Sequence, residues 1–99
     1  MNSEKSLQDY IKKGCIKRGC LVYKFASPNK RGVPDLIIIT HQGIVLFVEV
    51  KSPTGKGKLS RLQEIEIEAL RDHGMYVEVV DSKEGAKIVF DIAEGRCDA

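Results

Sequence analysis

Long apolar runs are missing from this 99-residue chain: the longest, Ile44 to Val48, has five residues, against the roughly 20 that a bilayer-spanning helix requires. A transmembrane helix is therefore not expected. The first residues also lack the basic-then-apolar layout of a signal peptide, so the sequence reads as cytoplasmic. Cysteine is scarce and odd in number. Cys15, Cys20 and Cys97 show no C-x-x-C spacing, which argues against both a disulfide framework and a zinc site and leaves reduced thiols. The two histidines, His41 and His73, fall in a turn and near a helix end, where the ordinary structural reading outweighs a ligand role. Repeats, linkers and low-complexity segments are lacking too, so residues 1–99 are expected to form one domain. At 42% hydrophobic and 30% charged residues, the chain is too apolar for intrinsic disorder.

Acidic residues are unevenly lacking. From Met1 to Pro34 eight Lys or Arg face two acids, and from Lys51 to Gln63 four bases face none. Glu64 to Ala99 carries ten acids against four bases, so a net charge of only +2 conceals two basic stretches and an acidic end. Such asymmetry suits a protein that presents one surface to a polyanion, nucleic acid being the natural candidate; the alternative is that the blocks are merely solvated faces.

Leu7, Tyr10, Ile11 and Cys15 recur at helical spacing behind Ser3, a plausible N-cap, and predict a helix to about Arg18, ended by Gly19. Leu21 to Phe25 reads as a strand, followed by the basic turn-forming segment Ser27 to Gly32 and by Val33-Pro34. Leu36 to Ile39 and Ile44 to Val50 are β-branched strands joined by His41-Gln42-Gly43, a hairpin loop with glycine available for positive φ. Both faces of this hairpin are apolar, with Ile37, Ile39, Val45 and Phe47 on one and Leu36, Ile38, Leu46 and Val48 on the other. Helices are thus expected on both sides. A Gly/Lys-rich loop over Ser52 to Lys58 leads to a helix from about Ser60 to His73, stopped by Gly74, and Tyr76 to Val80 and Lys87 to Ile92 read as two further strands. The expected fold is α/β, in the order α-β-β-β-α-β-β, with a sheet between helices.

Asp35 opens the first hairpin strand, Glu49-Val50-Lys51 closes the second, and thirteen residues separate the two acids. With the loop at His41 to Gly43, Thr40 pairs with Ile44 and Asp35 falls opposite Glu49. Opposed side chains have Cβ atoms about 4.5–5.5 Å apart, and Lys51 points to the face of Glu49 about 7 Å further on. Two carboxylates so placed repel unless a cation lies between them. Oxygen donors with no His or Cys nearby favour a hard ion, Mg²⁺ or Mn²⁺, which keeps waters and accepts phosphate oxygens, the chemistry of phosphodiester hydrolysis. The structural alternative is a turn residue after Pro34 and an ordinary Glu49–Lys51 ion pair. Glu4 precedes Leu7 and Ile11 on the buried stripe of the first helix, and is either a helix-dipole partner or a third acid over the sheet. Gln63 shares a stripe with Leu59, Ile67 and Leu70 but also sits at capping-box distance from Ser60, so that capping and site roles compete.

Gly32-Val33-Pro34-Asp35-Leu36, Glu49-Val50-Lys51, Gln63 on the following helix and Glu4 in a leading helix together resemble the virus-type replication-repair nuclease (VRR-NUC) domain of the PD-(D/E)xK superfamily, from Glu4 to about Val80. The resemblance implies a restriction-endonuclease-like core with a mixed central β-sheet flanked by helices, and a metal-dependent DNA endonuclease. Standalone members of this size look like homodimeric nucleases of four-way (Holliday) junctions, many of them from phages or prophages. Carried over, Asp35 and Glu49 are metal ligands, Lys51 positions or activates the attacking water, and Glu4 and Gln63 support the site, Glu4 among the possible metal ligands.

With one or two Mg²⁺ or Mn²⁺ ions, the expected ligands are then Asp35, Glu49 and the Val50 carbonyl. Lys30, Arg31, Lys56, Lys58 and Arg61 in the basic loops are expected to contact the DNA backbone, since nothing here resembles a major-groove recognition helix. A homodimer is expected on grounds of junction symmetry, with Tyr76 or Phe90 as conceivable anchors. Two other readings compete: a non-catalytic nucleic-acid-binding subunit with the same fold, against which the intact acid–acid–lysine set argues, and a nucleotide-binding loop at Ser52 to Lys58, which fails because Leu59 stands where a hydroxyl is needed.

Overall fold

The computed structural model describes residues 3–54 and 57–95. Helix α1 spans Glu4–Lys17, strands β1, β2 and β3 span Leu21–Lys24, Leu36–Ile39 and Val45–Val50, helix α2 spans Arg61–Asp72, strand β4 spans Tyr76–Val80, and helix α3 spans Lys83–Ala93. The strands form one sheet in the order β1-β2-β3-β4, antiparallel between the first three and parallel between β3 and β4. The expected mixed sheet flanked by helices is what the chain forms.

The hairpin register is the one the loop length predicts. Leu36 pairs with Val48, Ile37 with Phe47, Ile38 with Leu46 and Ile39 with Val45. Beyond the ladder, Thr40 N–H donates to the Ile44 carbonyl at 2.9 Å, Ile44 N–H donates to Thr40 Oγ1 at 3.0 Å, and Gly43 turns the chain at φ 84°. Alternation then divides the hairpin between two cores. Leu36, Ile38, Leu46, Val48 and Val50 pack with Leu7, Ile11 and Cys15 of α1 and Ala86, Val89 and Phe90 of α3. On the other face Phe47 and Val77 pack with Ile67 of α2, flanked by Ile37, Val45 and Leu70. Because β2 and β3 are covered on both sides, their sequences are nearly continuous apolar runs.

Both early helices start where side-chain caps allow. Ser3 Oγ accepts from Ser6 N–H at 3.0 Å, and Ser60 Oγ accepts from Gln63 N–H at 3.1 Å. Cys15 and Cys20 are buried free thiols, and burial, helped by the neighbouring Cys20, pushes the Cys15 thiol up to about 12. Cys97 lies outside the described residues.

The last element departs from expectation. Lys87 to Ile92, read as a strand, belongs to helix α3. The six-residue window holds a short β-branched run, but the helical period appears only over the longer segment, where Ala86, Val89, Phe90 and Ala93 fall on one buried stripe at i, i+3, i+4 and i+7. Ser82 caps that helix, its Oγ accepting from Gly85 N–H at 3.0 Å. The Phe90 ring meets Tyr10 edge-on with centroids 5.6 Å apart, and the Arg18 guanidinium lies 4.1 Å from its centroid. Phe90 is thus 7% exposed and Tyr76 packs against the same core, so neither offers a protruding anchor for a second copy.

Candidate active site

The candidate residues converge at the end of the sheet where β2 begins and β3 stops. Phe25 N–H donates to the Asp35 carbonyl at 2.8 Å, holding Asp35 in line with β1 immediately before β2. The Asp35 carboxylate reaches across to β3, where Oδ2 accepts from Val50 N–H at 2.8 Å. Proline at position 34 has no N–H for a ladder bond to β3, and the Val50 N–H is accepted by the Asp35 carboxylate rather than by a backbone carbonyl. An extended residue directs its N–H and C=O to the same edge, so the Val50 carbonyl also lies on the Asp35 side of β3. Lys51 N–H, by contrast, donates to the Val80 carbonyl of β4 at 2.8 Å.

Glu49 lies one step before Val50 and is 2% exposed. Its Oε2 accepts from Gln63 Nε2 at 2.8 Å and lies 3.5 Å from Lys51 Nζ, whereas its Oε1 is buried with no hydrogen-bond partner. Burial first, and the neighbouring Asp35 charge second, push the Glu49 carboxyl from its ordinary 4.5 up to about 7; Lys51 opposes this by charge and hydrogen bonding, and Glu4 adds a smaller upward push. A buried carboxylate with one satisfied and one bare oxygen, repelled by a second carboxylate, is destabilised unless it takes up a proton or a cation.

Gln63 does both things that its sequence position left open. Its Oε1 accepts from Ser60 N–H at 2.9 Å, completing a capping box at the start of α2. The same oxygen accepts from Lys51 Nζ at 2.9 Å, and its amide nitrogen donates to Glu49. The helix start is therefore tied to the end of β3. Gly32 reinforces this docking: at φ 87°, its backbone lies so close to α2 that an added Cβ would stand 2.5 Å from the Leu62 carbonyl oxygen.

Glu4 occupies a different setting from the buried stripe expected for it. It is the first residue of α1 and exposed, because the stripe that meets the sheet begins at Leu7. It does face the site: Glu4 and Asp35 line one cleft of about 370 Å³, whose wall also carries Lys5, Gln8, Asp9, Lys12 and Lys24. Those five residues were not singled out from the sequence. The signal available was a polar stripe at 5, 8, 9 and 12 alongside the buried stripe at 7, 11 and 15. Arg31, Lys58 and Arg61 are exposed. Lys30 is instead engaged with the buried Glu66, Nζ to Oε1 at 3.2 Å, and Lys56 lies outside the described residues.

Among the described residues, no three His, Cys, Asp or Glu side chains gather as a ready-made metal cage. The donor set is two carboxylates and a backbone carbonyl, and it matches a hard ion that retains several waters. The bare Glu49 Oε1 is the observation that fits a cation here.

Comparison with known proteins gives the family of the chain. The chain is 38% identical over 61 residues to a protein described as "Putative nuclease p44" from Acyrthosiphon pisum secondary endosymbiont phage 1, a match covering 62% of this chain and 66% of that protein. The match thus spans slightly less than two thirds of that relative's length. A solved structure described as a VRR_NUC domain superposes with a TM-score of 0.81 at 34% identity, covering 90% of this chain and 96% of that one. The family model for the VRR-NUC domain matches residues 3–84, a span that includes Asp35, Glu49, Lys51 and Gln63, and the chain belongs to the VRR-NUC domain family.

Proposed function

We propose that this chain is an endodeoxyribonuclease that depends on Mg²⁺ or Mn²⁺ and acts on branched DNA, four-way junctions above all, as a homodimer in the cytoplasm of a phage-infected or prophage-carrying host. The observation that carries the reading is the buried Glu49 carboxylate, with one oxygen bare and the other shared between Gln63 and Lys51. Glu49, Asp35 and the Val50 carbonyl would hold the metal, with Glu4 positioned to join from α1. Bound there, such an ion polarises a phosphate and lowers the pKa of a coordinated water.

The chain's own groups do the rest. Gln63 holds the Lys51 ammonium at 2.9 Å, so the cation is aimed rather than free to rotate. Lys51 then orients the attacking water or neutralises charge that develops on the phosphate, a task suited to a compact ammonium. Asp35 lines the cleft that also carries Lys5, Lys12 and Lys24, which suits a DNA strand passing over the end of the sheet. Arg31, Lys58 and Arg61 supply further backbone contacts from the other side. Contacts of this kind read shape and charge rather than bases. Two opposed cuts in a junction need two active sites related by a twofold axis, which motivates the homodimer.

The test is cleavage of labelled four-way junction, flap, duplex and single-stranded DNA in Mg²⁺, Mn²⁺ or EDTA, by the wild type, Glu49→Ala and Lys51→Ala. Metal-dependent cutting of junctions lost in both variants supports the reading. Equal cutting by all three proteins, or binding without cutting in either metal, overturns it, the latter in favour of a non-catalytic DNA-binding subunit.

A further inference from the structure

Helix α1 has a lysine-bearing cleft on each flank. One is the cleft at the candidate site, where Lys5, Lys12 and Lys24 stand beside the acids Glu4, Asp9 and Asp35. The other, about 460 Å³, lies between α1 and α3, and Lys13, Lys17, Arg18 and Lys87 surround the Tyr10 and Phe90 rings there. Helical spacing puts 5, 8, 9 and 12 on one side of the buried stripe and 10, 13, 14 and 17 on the other. Arg18 is already committed, its Nε donating to Glu94 Oε2 at 2.9 Å and its guanidinium covering Phe90. Lys13, Lys17 and Lys87 enter no ion pair or hydrogen bond among the described residues. Lys13 and Lys17 are an i, i+4 pair of like charge, an arrangement that weakens an isolated helix. Three unpaired ammonium groups around one concave surface are complementary to a polyanion.

We infer that the α1–α3 cleft is a second DNA-backbone site and that α1 is a partition between two diverging DNA segments, the cleaved strand on its Lys24 side and a neighbouring arm on its Lys87 side. The inference rests on the reading of DNA as substrate and gives that reading a basis for structure selectivity. A helix with its side chains is about 10–12 Å across, and duplex DNA is stiff over about 150 base pairs. One straight duplex cannot follow both flanks of α1, whereas two arms leaving a branch point can. Branched DNA then engages both lysine sets at once, and linear duplex only one.

The test measures binding rather than cutting. Affinities for a four-way junction and for a linear duplex of the same arm sequence are compared across a salt series, in a Glu49→Gln background that keeps the DNA intact. Beside it stand the triple variants Lys13→Glu/Lys17→Glu/Lys87→Glu and Lys13→Arg/Lys17→Arg/Lys87→Arg. The Glu triple is expected to lose tenfold or more in junction affinity and to bring the junction-to-duplex ratio towards one, while the log–log salt slope on junctions flattens by about 2.7, at about 0.9 per phosphate contact. The Arg triple is expected to stay within about twofold of its parent, since it keeps the charges. An unchanged junction-to-duplex ratio in the Glu triple overturns the inference, and so does an Arg triple as impaired as the Glu triple, which would mark a structural role. If the Glu triple does not fold, Lys87→Glu alone carries the test, with a slope change of about 0.9. Lysine-dependent junction binding by a protein that never cuts DNA would sink the nuclease reading and leave this one standing; cutting with no such dependence would do the reverse.

Discussion

Gln63 donates its side-chain amide to the buried Glu49 carboxylate at 2.8 Å, and this bond makes the first turn of α2 part of the candidate active site. The same side chain caps the helix and holds Lys51. Helix initiation and site assembly are therefore one structural event.

Replacing Gln63 by Ala should consequently damage both. Loss of the capping-box bond and of a partner to a buried carboxylate should each cost about 1–2 kcal/mol, read as a lower urea midpoint. DNA cleavage should fall more steeply than stability explains, because Lys51 loses its anchor. Wild-type cleavage in a folded Gln63→Ala protein would show that the amide does nothing beyond capping.

The raised Glu49 carboxyl gives the metal-free protein an unusual pH response. Between about 4.5 and about 7 the folded chain keeps a proton on Glu49 that the unfolded chain has released. The native state then binds more protons, so unfolding free energy falls as pH rises through this window and levels off above it. The gap corresponds to about 3 kcal/mol at 1.36 kcal/mol per pH unit, an upper figure because the site relaxes. Urea unfolding in EDTA at pH 5 and pH 8 measures it, and Glu49→Gln should remove this component. Identical pH dependence in the two proteins would mean that Glu49 is not perturbed.

Divalent metal should reverse that loss. At pH 8, Mg²⁺ or Mn²⁺ at about one hundred times its dissociation constant should stabilise the wild type by about 2.7 kcal/mol. EDTA should abolish the effect, and Asp35→Asn or Glu49→Gln should respond weakly. Equal thermal shifts in wild type and both variants would place the ion elsewhere.

Gly32→Ala should destabilise although it adds one methyl group. The position has φ 87°, and the new Cβ would press on the Leu62 carbonyl oxygen at 2.5 Å. The backbone conformation alone costs about 1–3 kcal/mol, and the neighbouring atoms are main chain and cannot rotate away. The loop that precedes Asp35 should shift off α2, lowering both melting temperature and cleavage. A variant as stable as wild type would refute the close approach.

The hairpin was legible because its determinants are local. A three-residue loop, a side-chain period of two and β-branched runs specify the Thr40/Ile44 closure and the register that leads to Asp35 and Glu49. The Ser3 and Ser60 caps and the α1 and α2 stripes were legible for the same reason. The C-terminal helix was not, since Lys87 to Ile92 taken alone satisfies β-propensity and only the longer stripe from Ala86 to Ala93, buried against α1 and the sheet, shows the period that prevails.

By itself the sequence determined which residue types could meet: two carboxylates and a lysine at the open end of a hairpin, carried there by periodicity and turn length. Only the tertiary structure decided what surrounds them. Docking of α2 onto the end of β3 buries Glu49, gives one of its oxygens to Gln63 and leaves the other bare, while Glu66 on the same helix pairs with Lys30. Packing of α1 between β1 and α3 creates the two lysine-lined clefts. Burial and partner choice of this kind depend on contacts between segments distant in the chain, and no local period or propensity encodes them.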